Sequence, residues 1–469
     1  MDKTGRIHLI GICGTAMATL GAMLKDAGYT VTGSDEGMYP PMSDFLAQKR
    51  IDAREGYDAA NLRPAPDLVV VGNALSRGNP EIEYTLDNRI PFMSLPETLK
   101  TFFLRRKTPV VVTGTHGKTT TASMISWGMS AAGLRPDFLI GGIAENFQSS
   151  YGLNGGEHFV VEGDEYDSAF FDKGPKFLHY LPYIAVVGNV EFDHADIYAD
   201  LDAVKLQFRR FVNLIPRNGF LAVGADSPAA LEVCENSLCR KETFGIETAC
   251  DWTAKDIEQR AGGCEFEIIH GGKSFLRVRL KTFGRHNIQN ALGTAAVMNH
   301  VGVSPEDIRK GLETFIGVRR RMQFLAEAAG IRIYEDFAHH PTAVRETLKA
   351  VRAVFKPQRI WAIYEPRSAT SRRNIFQGEI ADALSLADCV AIPALFRPEK
   401  VPEAERLDEI RLIDDLRSRG CAAWNTGTVD GIIKKVREES RSGDIIVIMS
   451  NGGFGGIYEK LPAALITDH

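Results

Sequence analysis

A glycine-rich loop that contains one lysine and two threonines is the part of the sequence whose residue types most directly indicate chemistry. It follows an apolar run at residues 109–113, precedes a helical pattern, and reads Gly114, Thr115, His116, Gly117, Lys118, Thr119 and Thr120. Glycines let backbone N–H groups approach phosphate oxygens, and the N-terminus of the helix adds partial positive charge. A lysine here reaches the terminal phosphates, and a threonine hydroxyl binds Mg²⁺. We therefore predict an ATP–Mg²⁺ site, in a loop shorter than the common form because Val112 stands where the first glycine is expected.

Two acidic segments follow later strand patterns and supply candidate magnesium ligands. One runs from Glu162 to Asp167, and the other ends in Asp193 and His194. Carboxylates at the end of a strand near a phosphate loop suit Mg²⁺, which prefers oxygen ligands. We expect Glu162 to bind the metal together with the threonine hydroxyl of the loop, and His194 either to bind a second Mg²⁺ or to contact phosphate.

The N-terminus carries a second, weaker glycine turn. Gly11 and Gly14 follow a strand pattern and open a helix, and Asp35 ends the next strand. This arrangement can hold a diphosphate, with the acid on a ribose hydroxyl. Alone it would also fit a dinucleotide cofactor, but Cys13 and Met17 interrupt the full glycine fingerprint.

Strand patterns alternate with helical patterns along most of the chain, which predicts an α/β fold with parallel sheets covered on both faces. The 469 residues are too many for one core, and three domains are expected. We predict a Rossmann-like domain at residues 1–107, a central ATPase-type parallel sheet at 108–322, and a second Rossmann-like domain at 323–469. Residues 252–281 alternate apolar and polar side chains, which predicts antiparallel hairpins appended to the central sheet.

Composition excludes several classes of protein. The formal net charge of −5 argues against a nucleic-acid scaffold. The seven cysteines form no Cys-x-x-Cys pair, which indicates a reducing compartment rather than a disulfide framework. Neither a signal peptide nor a membrane span is expected, so we predict a cytoplasmic enzyme. Nothing indicates a protein partner, and a monomer or weak homo-oligomer is expected.

Five segments together resemble the Mur ligase family, and they occur in the family's order. They read Gly-Thr-His-Gly-Lys-Thr-Thr, Glu-Gly-Asp-Glu-x-Asp, Asn-x-Glu-x-Asp-His, His-Asn-x-x-Asn-Ala and Asp-Phe-x-His-His-Pro-Thr. The resemblance implies that the first domain holds UDP-N-acetylmuramate through Gly11, Gly14 and Asp35. It implies that the central domain holds ATP and Mg²⁺, and that the third binds an incoming amine.

The resemblance also implies roles for single residues. The catalytic group would be Lys118, Glu162, His194 and Arg321, with Thr119, Glu162 and His194 on the metal. The nucleotide would further contact Asn287, Arg321, Asp336 and His339. Lys205 lies where some relatives carry a carbamylated lysine that bridges to magnesium, at a shorter spacing from His194 than in those relatives.

Further segments resemble the branch of the family that attaches the murein tripeptide L-Ala-γ-D-Glu-meso-diaminopimelate to UDP-N-acetylmuramate through an acyl phosphate, in peptidoglycan recycling. They lie at residues 39–43, 72–79, 365–368 and 450–456. The alanine-adding branch is the nearest alternative. A nucleotide-dependent oxidoreductase and a non-catalytic ATP-binding regulator are alternatives from other classes. Asp193 and His194 are both candidates for the base that deprotonates the amine.

Overall fold

The computed structural model describes residues 5–466 of the chain. Its strands are β1 Arg6–Ile10, β2 Thr30–Asp35, β3 Asp52–Glu55, β4 Leu68–Val71, β5 Phe92–Ser94, β6 Thr108–Thr113, β7 Asp137–Ala144, β8 Ser149–Gly152, β9 His158–Gly163, β10 Asp167–Ala169, β11 Asp172–Pro175, β12 Ile184–Val187, β13 Phe220–Gly224, β14 Arg240–Phe244, β15 Trp252–Arg260, β16 Gly263–His270, β17 Lys273–Leu280, β18 Gln323–Ala328, β19 Ile331–Asp336, β20 Ile360–Tyr364, β21 Cys389–Pro393, β22 Ala422–Gly427 and β23 Ile445–Met449.

Fourteen α-helices within these residues connect the strands. They are α1 Thr15–Asp26, α2 Met42–Gln48, α3 Pro80–Asp87, α4 Leu95–Leu99, α5 Lys118–Ala131, α6 Leu201–Val212, α7 Pro228–Val233, α8 Arg285–His300, α9 Pro305–Thr314, α10 Pro341–Phe355, α11 Gln377–Leu384, α12 Glu409–Ser418, α13 Val429–Glu439 and α14 Ile457–Ile466. None of the helices within residues 5–466 is long and apolar enough to cross a membrane.

The first compact unit comprises Met1–Val190, Asp202–Cys250 and Gly293–Gly311. Its N-terminal sheet is parallel, in the order β3-β2-β1-β4-β5. Its second sheet runs β14-β13-β12-β6-β9-β7-β8 and is parallel except for β8, which pairs antiparallel with β7. The interior strands β4 and β12 of these two sheets are apolar and fully buried, because helices cover both faces of a parallel sheet.

The second compact unit comprises Glu191–Leu201, Asp251–Leu292 and Leu312–His469. Its six-stranded sheet has the order β18-β19-β23-β20-β21-β22, and all its pairs except β18–β19 are parallel. Ile360, Ala362 and Tyr364 of β20 pack into one hydrophobic cluster, and the alternate residues Trp361 and Ile363 pack into another. Because successive side chains of a strand point to opposite faces, this sheet has a core on each side.

The predicted α/β class with three sheet-containing domains is confirmed, while the domain boundaries at 107 and 322 stay predictions. The predicted hairpins are β15, β16 and β17, which pair antiparallel around turns at Gly262 and at Gly271–Gly272. The sequence reading omitted β3, whose residues Asp-Ala-Arg-Glu carry three charges. This strand lies at a sheet edge, where only one neighbour pairs with it and polar side chains face water.

Candidate active site

The phosphate loop connects the buried strand β6 to helix α5 in the first unit. Gly117 is the residue before the helix and has a φ of +79°, a left-handed conformation that glycine adopts without strain. At Gly114, with a φ of +139°, a Cβ would lie 3.0 Å from the backbone nitrogen of Asn189. The Asn189 side chain in turn accepts a hydrogen bond from the backbone N–H of His116 at 2.7 Å. The end of β12 thus fixes the loop, which explains why both glycines are needed.

The side chain of Lys118 forms an ion pair with an acidic residue near the loop. Its ammonium group donates to the backbone oxygen of Gly114 at 2.7 Å and to the carboxylate of Glu165 at 2.8 Å. Burial lowers the pKa of Lys118, but the charges of Glu165, Asp164 and Glu162 outweigh burial and leave the pKa raised. The lysine is therefore a charged donor in the loop that is predicted to bind phosphate.

Thr119 and Glu162 lie together, as the sequence predicts. The hydroxyl of Thr119 donates to Glu162 Oε1 at 3.1 Å, and the backbone N–H of Gly141 donates to Glu162 Oε2 at 2.8 Å. Strands β6 and β9 are parallel neighbours, and Val112 is in register with Glu162, so the carboxylate emerges beside the phosphate loop. A hydroxyl and a carboxylate are oxygen ligands of the kind that Mg²⁺ prefers, so these residues fit the ion.

Lys205 lies on helix α6 and forms ion pairs with two acidic residues. Its ammonium nitrogen lies 2.7 Å from Glu232 and 3.5 Å from Asp202. The hydrogen bond with Glu232 raises the pKa of Lys205. Carbamylation requires the neutral amine, so this environment argues against the carbamylated form.

The N-terminal glycine turn brings Gly11, Gly14 and Asp35 together, as the sequence predicts. Gly11 has a φ of +81°, and the carboxylate of Asp35 accepts the backbone N–H of Cys13 at 2.7 Å. Gly14 is exposed and precedes α1 without a side-chain cap, so the N-terminus of the helix points its backbone N–H groups outward. This geometry suits a diphosphate.

A buried polar network beneath this turn was missed by sequence reasoning. The backbone oxygen of Ser34 accepts the N–H of Gly11 at 2.8 Å, while its hydroxyl donates to Glu81 at 2.5 Å. His8 lies 3.4 Å from the same carboxylate. Burial raises the pKa of Glu81, but hydrogen bonds from His8, Ser34 and Asn61 outweigh it, and the pKa is lowered. A histidine within an apolar strand was the available signal in the sequence.

The second unit places Asp193 among three histidines. Burial raises the pKa of Asp193, but the charges of His194, His339 and His340 outweigh burial and hold the pKa well below its usual range. His194 has a φ of +56°, which is uncommon for a residue other than glycine and is typical of functional sites. Asp193, His339 and His340 also line an enclosed pocket, with Tyr364, of about 10 Å³, which is about one water molecule in size.

Two adjacent arginines of the second unit differ in their contacts. The side chain of Arg320 is held by contacts within the unit, since it forms an ion pair with Glu335 and donates to the backbone oxygens of Ser450 and Gly452. Arg321 is exposed, and its guanidinium carbon lies 4.9 Å from the ring centre of Phe337. Arg321 is therefore exposed to solvent, whereas Arg320 is held by internal contacts; that Arg321 binds an anionic ligand stays a prediction.

The other nucleotide candidates of the second unit make internal hydrogen bonds. Asp336 is buried and accepts the backbone N–H groups of Met322 and Ala338, both at 2.8 Å. Asn287 donates to the backbone oxygen of Phe283 at 2.7 Å, and His339 lies 3.0 Å from that of Phe337. In this arrangement Asp336 positions the loop after β19.

Two segments that are distant in the sequence meet at the end of strand β23. The hydroxyl of Ser450 donates to the carboxylate of Glu365 at 2.5 Å. A Cβ on Gly452 would overlap the guanidinium of Arg367, so this glycine makes room for the arginine. The segments at 365–368 and 450–456, which the sequence singles out separately, therefore contact each other.

Comparisons with known proteins agree with this geometry. Residues 6–107 match the model described as Mur ligase family, catalytic domain; residues 112–298 match the Mur ligase middle domain; and residues 320–452 match the Mur ligase, glutamate ligase domain.

Similar proteins include UDP-N-acetylmuramate–L-alanyl-γ-D-glutamyl-meso-2,6-diaminoheptandioate ligase of Escherichia coli, 42% identical over 97% of both chains. A UDP-N-acetylmuramate–L-alanine ligase of Acetivibrio thermocellus is 33% identical over 98% of this chain and 95% of its own. The crystal structure of a murein peptide ligase from Psychrobacter arcticus is 36% identical, covers 98% of both chains and has a TM-score of 0.75. By these similarities, and in keeping with its phosphate loop, the chain belongs to the Mur ligase family of ATP- and Mg²⁺-dependent ligases.

Proposed function

We propose that the chain joins L-Ala-γ-D-Glu-meso-diaminopimelate to UDP-N-acetylmuramate at the expense of ATP, in peptidoglycan recycling. The observation that carries this proposal is the set of contacts that brings Glu365, Arg367, Ser450 and Gly452 together. These residues belong to the segments that separate the tripeptide-adding from the alanine-adding branch. The higher identity to a tripeptide ligase, 42% against 33%, supports the same choice.

The reaction must first turn a carboxylate into an electrophile. The lactyl carboxylate attacks the γ-phosphorus of ATP, the bond to ADP breaks, and an acyl phosphate forms. Two anions must approach, and Lys118 with Arg321 offsets their repulsion and stabilises the charge that develops. Thr119, Glu162 and His194 would hold Mg²⁺, which would supply further positive charge to the phosphoryl group.

The second step forms the amide bond. The amine of the peptide's alanine attacks the acyl carbon, phosphate leaves, and a proton passes from nitrogen to a base. The depressed pKa of Asp193 makes this carboxylate a weak base, which argues against it as the acceptor. Its charge is better suited to orienting the neighbouring His194, His339 and His340.

The remaining assignments extend the same proposal. Gly11, Gly14 and Asp35 would bind the UDP part of the sugar nucleotide, and Asn287, Asp336 and His339 would line the nucleotide. Domains at 1–107, 108–322 and 323–469 would carry the sugar nucleotide, ATP and the peptide in turn. The reaction would take place in the cytoplasm, by a monomer or weak homo-oligomer.

The decisive experiment measures phosphate release from ATP–Mg²⁺ in the presence of UDP-N-acetylmuramate, with either L-alanine or the tripeptide as the amine. Release with the tripeptide alone supports the proposal. Release with alanine alone would make the chain an alanine-adding enzyme. An oxidoreductase would instead bind a nicotinamide cofactor and release no phosphate, and a regulator would bind ATP without turnover.

A further inference from the structure

Three arginines of the second unit converge on one aromatic residue. The guanidinium carbon of Arg367 lies 3.9 Å from the ring centre of Phe396, and that of Arg397 lies 5.3 Å from the same centre. Arg372 donates to the backbone oxygens of Phe396 at 3.4 Å and of Arg397 at 3.1 Å. We call Arg367, Arg372 and Arg397 the arginine cluster.

The positive charge of the cluster is poorly compensated. Arg372 donates to the backbone oxygen of Ser368 at 3.3 Å as well as to those of Phe396 and Arg397, and backbone oxygens carry no net charge. The adjacent Arg373, in contrast, forms an ion pair with Glu405. Burial and the charge of Arg373 lower the pKa of Arg372, with a smaller contribution from Arg397 in the same direction.

One carboxylate lies close to the cluster, and it is shared. Glu365 is 3.4 Å from Arg367, and it also accepts the hydroxyl of Ser450. Glu399 and Asp196 only partly offset the effect of the neighbouring cations on Arg372. Gly452 leaves the space that Arg367 fills, so the fold holds this guanidinium in place. Bringing guanidinium groups together costs free energy unless an anion joins them.

We propose that the arginine cluster binds a carboxylate of the incoming peptide that lies beyond its N-terminal alanine. The inference rests on the proposed function and deepens it. A guanidinium presents its N–H donors in a planar fork that matches a carboxylate. Free alanine has a single carboxylate, next to the amine that reacts. The tripeptide carries carboxylates on its second and third residues, so a cation cluster away from the reacting amine selects for it.

Arg372→Gln is the first test, because Arg372 is the least compensated member of the cluster. The KM for the tripeptide should rise by about ten- to a hundredfold, the range expected for losing a hydrogen bond to a charged group. The KM values for ATP and UDP-N-acetylmuramate should not change. The tripeptide KM of Arg372→Lys should lie between those of the wild type and Arg372→Gln, since lysine keeps the charge and loses the planar pair of N–H donors. Lys434→Gln is the matched control, because it removes one positive charge from a side chain of the second unit that is 79% exposed.

Substrate analogues locate the contact. Tripeptides in which one carboxylate at a time is replaced by a carboxamide are compared on the wild type and on Arg372→Gln. On the wild type, the analogue that lacks the bound carboxylate should have a higher KM than the tripeptide. On Arg372→Gln, this analogue and the tripeptide should have similar KM values, because the substitution has already removed the same interaction. Independent losses for every analogue, or an unchanged tripeptide KM in Arg372→Gln, would overturn the inference.

Two controls separate the possible failures. If the wild type releases no phosphate with the tripeptide, the proposed function has failed, whereas normal wild-type turnover with an unaffected Arg372→Gln refutes the cluster alone. If Arg372→Gln does not fold, as judged by circular dichroism and thermal melting, Arg397→Gln replaces it, because Arg397 is exposed. The same rise in tripeptide KM is expected there, and its absence contradicts the inference.

Discussion

Two glycine-rich loops each follow a buried parallel strand, but different parts of the chain occupy the space that their glycines leave. In the loop after β6, Gly114 packs against the backbone of Asn189, while Gly117 is exposed and leads into α5, whose first residue is Lys118. The loop after β23 is filled by the chain itself, since the guanidinium of Arg367 occupies the space over Gly452. In both loops, a glycine therefore leaves space that a residue from a distant part of the chain occupies.

The difference has a functional consequence. We propose that Lys118, Thr119 and Glu162 of the first loop region serve the phosphoryl transfer that every Mur ligase reaction needs. The second loop shapes the surface that we propose for the peptide. Changes at the first loop should stop turnover with any amine, whereas changes at the second should alter the response to the amine alone.

Lys118→Ala should have the largest effect of the substitutions considered. Turnover should fall by about a thousandfold or more, because a cation that neutralises the transferred phosphoryl group is lost. Binding of UDP-N-acetylmuramate, measured by calorimetry, should persist. Lys173→Ala is the control, since this lysine is 69% exposed and pairs with Asp167. Activity of Lys118→Ala near that of the wild type would refute the phosphate-loop assignment.

Glu162→Gln should produce the next largest effect. The amide keeps the shape and loses the charge, so the Mg²⁺ concentration for half-maximal phosphate release should rise by about a hundredfold. Saturating Mg²⁺ should restore part of the rate. Glu157→Gln is the control, because that carboxylate is exposed. If the Mg²⁺ concentration for half-maximal phosphate release did not change, Glu162 would not be a metal ligand.

Sequence reasoning reached the phosphate loop because its strand, glycines and helix are contiguous. The register of β6 against β9 then places Glu162 beside Thr119, and the order of motifs anticipated this meeting. Contacts that depend on distant segments were not predictable. Only the family resemblance singled out Arg321 from Arg320, because the internal role of Arg320 depends on backbone oxygens more than a hundred residues away.

Gly452→Ala should have a smaller and more selective effect. The added methyl group overlaps the side chain of Arg367, which can move because it is long and flexible. The tripeptide KM should rise by about tenfold, the size expected for modest overpacking, while the KM for ATP stays constant. Gly453→Ala is a closely matched control, since a Cβ there meets nothing within 4 Å. Equal effects of the two substitutions would show that Gly452 does not act through Arg367.

Lys205→Arg should have the smallest effect, and it tests whether Lys205 belongs to the metal site. Arginine can form the ion pair with Glu232 but cannot be carbamylated, so turnover should stay within about threefold of the wild type. Mass spectrometry of the intact wild-type protein in bicarbonate should show no added carbon dioxide at this residue. A loss of activity in Lys205→Arg comparable to that of Glu162→Gln would instead place a carbamylated Lys205 on the metal. The ion pair at 2.7 Å and the raised pKa favour the first outcome, because both keep the amine protonated.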